Sequence, residues 1–317
     1  MRLQDELVMQ VPSGALKQIV KNEGLESEVK LSSNEEMAEI IASKIPEVGR
    51  RLASEFKFAG ATAVNVHMMI NGISADWHNK EYFKDHLVKK YTGAIFAGGL
   101  RPELTHEPKL IRAHELADRM VLAFSYLGTP RRYLENYEIV FRSPQVLDYV
   151  VIHFSPFALE VRANQSQNDL FKTAVLEIMD IKEEVVWDKL TKLNDEQARQ
   201  LALALGARLR AAKHKMTEGV YATKEVTANT QVEDLESQEQ YQLEFSNQPM
   251  KKKTFVFKFP YSFGYEEESI SYVITGEGLW FRSNVGEEAI RHVFEHILQI
   301  KFPKDESEED QEFVEGA

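Results

Sequence analysis

From Asn34 to Lys57 the apolar residues recur at three- and four-residue steps: Met37, Ile40, Ile41, Ile45, Val48, Leu52 and Phe56 form one stripe. That spacing predicts an amphipathic helix. Ser33 and Glu36 have capping-box spacing at its start, and Pro46 should kink or split it. After Gly60 the period drops to two. Thr62, Val64, Val66, Met68 and Ile70 alternate with Ala63, Asn65, His67 and Met69, which predicts a strand with one buried face, closed by Asn71 and Gly72. Two more helices are expected at about 80–91 and 110–126, around a loop with Gly98, Gly99 and Pro102. Residues 1–135 therefore read as a mixed helix and strand N-terminal domain.

The pattern turns β-rich from Tyr137, and the stretch Tyr137–Lys182 is echoed by Thr254–Lys301. In order, Val140, Phe141 and Pro144 match Val256, Phe257 and Pro260. Leu159, Arg162 and Asn164 match Leu279, Arg282 and Asn284, and Ile178, Ile181 and Lys182 match Ile297, Ile300 and Lys301. Both stretches read as three strands and a helix, so the sequence predicts an internal duplication of βββα modules, at 136–183 and 251–302. One module would leave a sheet face bare, and the pair is expected to pack as a single unit. A helical connector at 184–216 and a polar linker or insertion at 217–250 lie between them. The expected fold class is α+β.

Composition narrows the class further. The 317 residues contain no cysteine, which removes disulfide frameworks, thiolate metal sites and cysteine nucleophiles. No apolar stretch reaches the roughly 18 to 20 residues of a membrane span, and the first ten residues lack a signal-peptide layout. The expectation is a cytoplasmic protein with no membrane partner. Its net charge of -12 is unevenly placed: residues 1–215 hold 29 acidic and 29 basic side chains, and the remainder holds 21 acidic against 9 basic. The segment 303–317 concentrates Asp305, Glu306, Glu308, Glu309, Asp310, Glu312 and Glu315, and reads as a disordered acidic tail.

Candidate chemistry is sparse. The paired Arg162/Asn164 and Arg282/Asn284 suggest strand ends that lead into capped helices, with the two arginines as a further candidate anion clamp. Asp148 and Glu160 resemble, loosely, the carboxylates that hold a hard cation in metal-dependent nucleases. His292 and His296 have the i, i+4 spacing of two metal ligands, without a third nearby in sequence. No glycine-rich phosphate loop, dinucleotide loop or nucleophile elbow is present, and no cofactor is expected. The connector carries the densest cations: Arg199, Arg208, Arg210, Lys213 and Lys215, a ridge that would suit phosphates.

These features favour a non-catalytic binding or assembly subunit, self-associating or joined to a protein partner. DNA or RNA is a further candidate partner through the basic connector, with the acidic tail as regulator. The rival expectations are a metal-dependent nuclease or other hydrolase, and a purely protein-binding scaffold.

Overall fold

A computed structural model describes residues 2–58, 63–261, 268–282 and 284–303. The acidic tail from residue 304, and residues 262–267 within the second expected module, lie outside the described residues. The described chain is mixed α+β and divides into two compact units, one drawn from residues 1–61, 192–276 and 281–317, the other from 62–191 with 277–280. These boundaries cut across the expected domains: the N-terminal region is split, and the second unit takes most of it together with residues 136–183.

The first unit opens with four helices, α1 (Leu3–Gln10), α2 (Ser13–Asn22), α3 (Asn34–Lys44) and α4 (Pro46–Phe56). The Ser33 hydroxyl accepts the Glu36 amide at 3.2 Å, which fixes the start of α3. Pro46 takes the first position of α4, where its missing N–H costs nothing, so the long apolar stripe breaks into two helices. Met37, Ile40 and Ile41 on α3 and Leu52 and Phe56 on α4 are buried.

The second unit begins with β1 (Ala63–Met69), a strand as expected but buried on both faces rather than one, since Asn65 and His67 are enclosed as well as Val64 and Val66. Next come α5 (Lys80–Tyr91), β2 (Lys109–Glu115), β3 (Arg119–Leu127), β4 (Arg131–Glu135), β5 (Glu138–Arg142), β6 (Gln145–Phe154), β7 (Phe157–Arg162), α6 (Asn168–Ile178) and β8 (Trp187–Lys189). Within this unit the sheet runs β1-β7-β6-β3-β2, with β8 along part of β1. The helix expected at 110–126 is instead the β2–β3 hairpin. Met120 to Phe124 is continuously apolar and Met120 to Tyr126 is buried on both faces, a pattern that suits a central strand better than one helix face. Phe83, Phe124, Ile152, Phe157, Leu159 and Phe171 anchor its core beneath α5 and α6.

The chain then returns to the first unit with α7 (Asp195–Ala204), β9 (Arg208–Lys215), β10 (Thr223–Thr227), α8 (Glu239–Phe245), β11 (Met250–Phe259) and β12 (Glu268–Thr275). The strand β13 (Gly278–Phe281) pairs with β1 through Ala63↔Trp280 and Val64↔Leu279, and α9 (Glu287–Lys301) follows. Two expectations change here. The connector is not one helix: Gly206, at φ +60, ends α7, and the basic run that follows is strand β9, paired with β10 and β11. The polar stretch 217–250 is not simply a linker, because it supplies β10 and α8.

Both expected modules contain three strands and a helix, β5-β6-β7-α6 and β11-β12-β13-α9. Their first strands differ in pairing. β11 lies between β9 and β12, whereas among the described strands β5 pairs only with β4, in a separate two-stranded sheet. The duplication as drawn from the sequence is therefore not what the strand pairing displays.

Candidate functional site

Among the described residues, the β4–β5 ribbon gathers five exposed large apolar side chains, Tyr133, Leu134, Tyr137, Ile139 and Phe141. Its turn residues Asn136 and Tyr137 both have positive φ, +49 and +68, the conformation of a two-residue hairpin turn matched to right-handed strand twist. Asn tolerates that conformation, but Tyr pays a steric penalty of about 1 kcal/mol or more. Tyr137 nevertheless sits at the tip, 98% exposed.

Register divides the ribbon into two faces. Leu134 lies opposite Ile139 and Arg132 opposite Phe141. Leu134, Ile139 and Phe141 are 72%, 67% and 63% exposed, and the Arg132 guanidinium lies 5.5 Å from the Phe141 ring centre. On the other face Arg131 lies opposite Arg142 and Glu135 opposite Glu138, with Tyr133 and Val140 between. Like charges thus face each other at both ends, which is unfavourable in an isolated hairpin; Arg142 reaches along the ribbon to Glu135 at 2.5 Å.

The basic residues expected on a connector helix lie elsewhere and are largely engaged. Arg199, on α7, pairs with Glu196 and lines a cleft of about 480 Å³ between α7, α8, β9 and β11. Inside it the buried Lys253 pairs with Asp195. The buried His214 ring stacks 4.4 Å from Phe245, donates from Nδ1 to the Gln248 carbonyl at 3.1 Å, and accepts the Tyr241 hydroxyl at Nε2, 2.9 Å. Burial lowers the His214 pKa, and burial pushes the Tyr241 hydroxyl up to about 12, so both groups stay neutral at physiological pH. Arg208 pairs with Glu233, and Arg210 donates to the carbonyls of Val232 and Asn229. Lys213 is half-buried, and Lys215 is exposed at the end of β9. The cations therefore do not form one helical ridge.

No protein-family model matches the chain, and no curated protein does.

The carboxylates expected to share a metal do not converge. Val151 is the register partner of Glu160, and Asp148, three residues before Val151 on β6, points to the opposite face of the sheet. Asp148 accepts the Tyr126 hydroxyl at 2.5 Å; burial raises its pKa. Glu160 binds Arg162 through Oε1 at 2.7 Å and His153 through Oε2 at 2.8 Å, in a fully buried cluster. Burial alone would push the Glu160 carboxyl up, but the Arg162 charge and the His153 hydrogen bond outweigh it and hold it well below the ordinary carboxylate range.

Arg162 is therefore spent inside the fold while Arg282 is exposed, and the expected two-arginine clamp has only one outward member. Asn164 caps the short 3-10 turn Gln165–Gln167 by accepting the Ser166 amide, whereas the residue at the start of α9 is Gly286. His292 and His296 meet edge-on on α9 with ring centres 4.6 Å apart, and His296 Nδ1 lies 3.1 Å from the Gln299 side chain. Among the described residues no group of three His, Asp or Glu side chains is placed to hold a metal ion. No described helix is long and apolar enough to cross a membrane.

The ribbon escaped the sequence reading because the expected domain boundary, at residues 135 and 136, falls inside its turn. The signal was nonetheless present: two five-residue runs, RRYLE and EIVFR, flank a two-residue Asn-Tyr turn.

Proposed function

We propose that this chain is a non-catalytic, intracellular assembly subunit that docks a protein partner on the β4–β5 ribbon, the partner being in the first instance a second copy of itself. The observation that carries this reading is the apolar face of Leu134, Ile139 and Phe141 on a ribbon that pairs with no other described strand. A lone two-stranded hairpin is at best marginally stable in water, so such a face gains from being covered. Three such side chains plus Tyr137 expose on the order of several hundred Å², the size at which a surface patch marks an interaction site.

Charge order favours a second copy. The ribbon carries an arginine pair at its base and a glutamate pair at its tip. Two ribbons joined edge to edge, antiparallel across a two-fold axis, set each arginine end beside the other copy's glutamate end on the charged face and bring the two apolar faces side by side, an isologous arrangement. Nucleic acid is the rival partner. The engagement of Arg199, Arg208 and Arg210 within the chain weighs against it, and the acidic tail would act on whichever surface proves to be used.

The same reading recasts the duplication. The order α5, β2, β3, β6, β7, α6 parallels α7, β9, β11, β12, β13, α9, with β4–β5 inserted in the first copy and β10–α8 in the second. The ribbon is then a device added to a repeated scaffold.

The test is sedimentation of the full chain with Leu134→Glu and Ile139→Glu together. The wild type should self-associate with rising concentration, and the variant should remain monomeric with an unchanged unfolding midpoint. A variant that associates as the wild type does would exclude the ribbon.

A further inference from the structure

Among the buried polar atoms of the second unit without a hydrogen-bond partner are both ends of the Asn65 amide and His67 Nε2, on one face of β1, and Asn168 Oδ1, at the first residue of α6. Asn65, His67 and Asn168 are each more than nine-tenths buried. Such orphaned groups cost about 1–3 kcal/mol each in a finished core and call for a cause.

Two ammonium groups stand around them. Lys189, the register partner of His67, has its Nζ within 3.3 Å of the point a Cβ would occupy at Gly278, and Asn65 Oδ1 is 3.1 Å from the same point. Gly278 itself takes φ +136, a conformation that favours glycine. Lys172, from the second turn of α6, extends over the Trp187 ring at 5.7 Å, and that ring lies edge-on to His67 at 6.4 Å. Asp169 bonds Lys172 at 2.6 Å but is 90% exposed, and the Lys189 ammonium donates to the Glu277 carbonyl. The buried side of the cluster is thus positive and amide-rich, under the first turn of an eleven-residue helix. Burial and the two lysines lower the His67 pKa to about 4, so the imidazole is neutral and offers one donor and one acceptor.

We propose that Asn65, His67, Asn168, Lys172 and Lys189 form a binding site for a small oxyanion, with a phosphate group as its natural occupant. Phosphate suits a set holding both unpaired donors and unpaired acceptors, because its oxygens accept from ammonium, amide and imidazole while a P–OH donates to an amide oxygen.

The probe is inorganic phosphate, titrated calorimetrically into the full chain at constant ionic strength with chloride as the control anion. Wild type should show saturable binding, and Asn65→Leu and Lys172→Met should each weaken it at least tenfold. The unfolding midpoint of Asn65→Leu in phosphate-free buffer should hold or rise, because an unsatisfied amide has been removed. Should that variant fail to fold, Lys172→Met, altered at a partly exposed side chain, carries the comparison. Absence of saturable binding by wild type, or equal binding by a folded variant, would mean that these side chains hold ordered water only and would overturn the proposal.

Discussion

Replacing Glu160 by Gln removes one charge from a cluster in which Arg162 and His153 both lean on that carboxylate at 2.7 and 2.8 Å. The side chains of Glu160 and Arg162 are each 1% exposed, so solvent cannot take over from the lost partner. Taking one member from a buried ion pair costs about 3–5 kcal/mol, much of it the stranded charge rather than the lost attraction. Glu160→Gln keeps shape and an acceptor oxygen, so steric disruption is small and the loss is electrostatic. Urea unfolding of wild type, Glu160→Gln, Arg162→Met and the triple change His153→Leu, Glu160→Met, Arg162→Met separates the terms. Each single variant should lose about 3–5 kcal/mol, while the triple, with no charge left to strand, should lie much closer to wild type. The pH dependence has a fixed sign. The folded-state value of Glu160 lies below the ordinary 4.5, so its contribution is present above about pH 4.5 and is lost as pH falls below it. A loss under about 1 kcal/mol for Glu160→Gln, the value for an exposed pair, would refute the reasoning.

Glu55 should show the opposite behaviour: burial raises its carboxyl to about 7, although the Glu288 amide donates to it at 2.6 Å, so stability should fall as pH rises from about 4.5 to about 7. Denaturant midpoints between pH 4 and 8 check this, and Glu55→Gln should flatten the slope. Gly286→Ala should destabilise by about 1–3 kcal/mol in the same assay, since its Cβ would sit 2.5 Å from Glu55 Oε1 and 2.7 Å from the Tyr261 ring. Exchanging residues 128–144 for Asn-Gly should preserve the fold by circular dichroism and thermal melting, because Leu127 and Gln145 are directly opposed across β3 and β6 and a two-residue turn can join them. A molten product would show that the ribbon is integral to the sheet.

The sequence made local structure legible wherever one signal dominated. The stripe from Met37 to Phe56, broken at Pro46, became α3 and α4, and the alternation around Val64 and Val66 became β1. The reciprocal capping box of Asn194 and Gln197 starts α7 as its spacing implies. Errors arose where burial on both faces removed the strand period, as in Met120–Tyr126, and where Leu201, Leu205 and Leu209 kept helical spacing across a chain reversal at Gly206. Of the candidate residues, spacing alone could not tell that Asp148 and Glu160 point to opposite faces, since that depends on the parity of residues along β6 relative to its register with β7. The ribbon's apolar residues were visible as strand formers, but their exposure follows from tertiary structure, because no other described strand pairs with β4 or β5.

Reversal of ribbon charges tests the assembly reading most directly. One variant carries Arg131→Glu and Arg142→Glu, the other Glu135→Arg and Glu138→Arg, and each is examined alone and as an equimolar mixture by sedimentation equilibrium. The antiparallel pairing predicts that each variant alone associates more weakly than wild type and that the mixture recovers a heterodimer at low salt. Equal association of all samples, or a mixture no stronger than its components, would contradict self-assembly through β4 and β5.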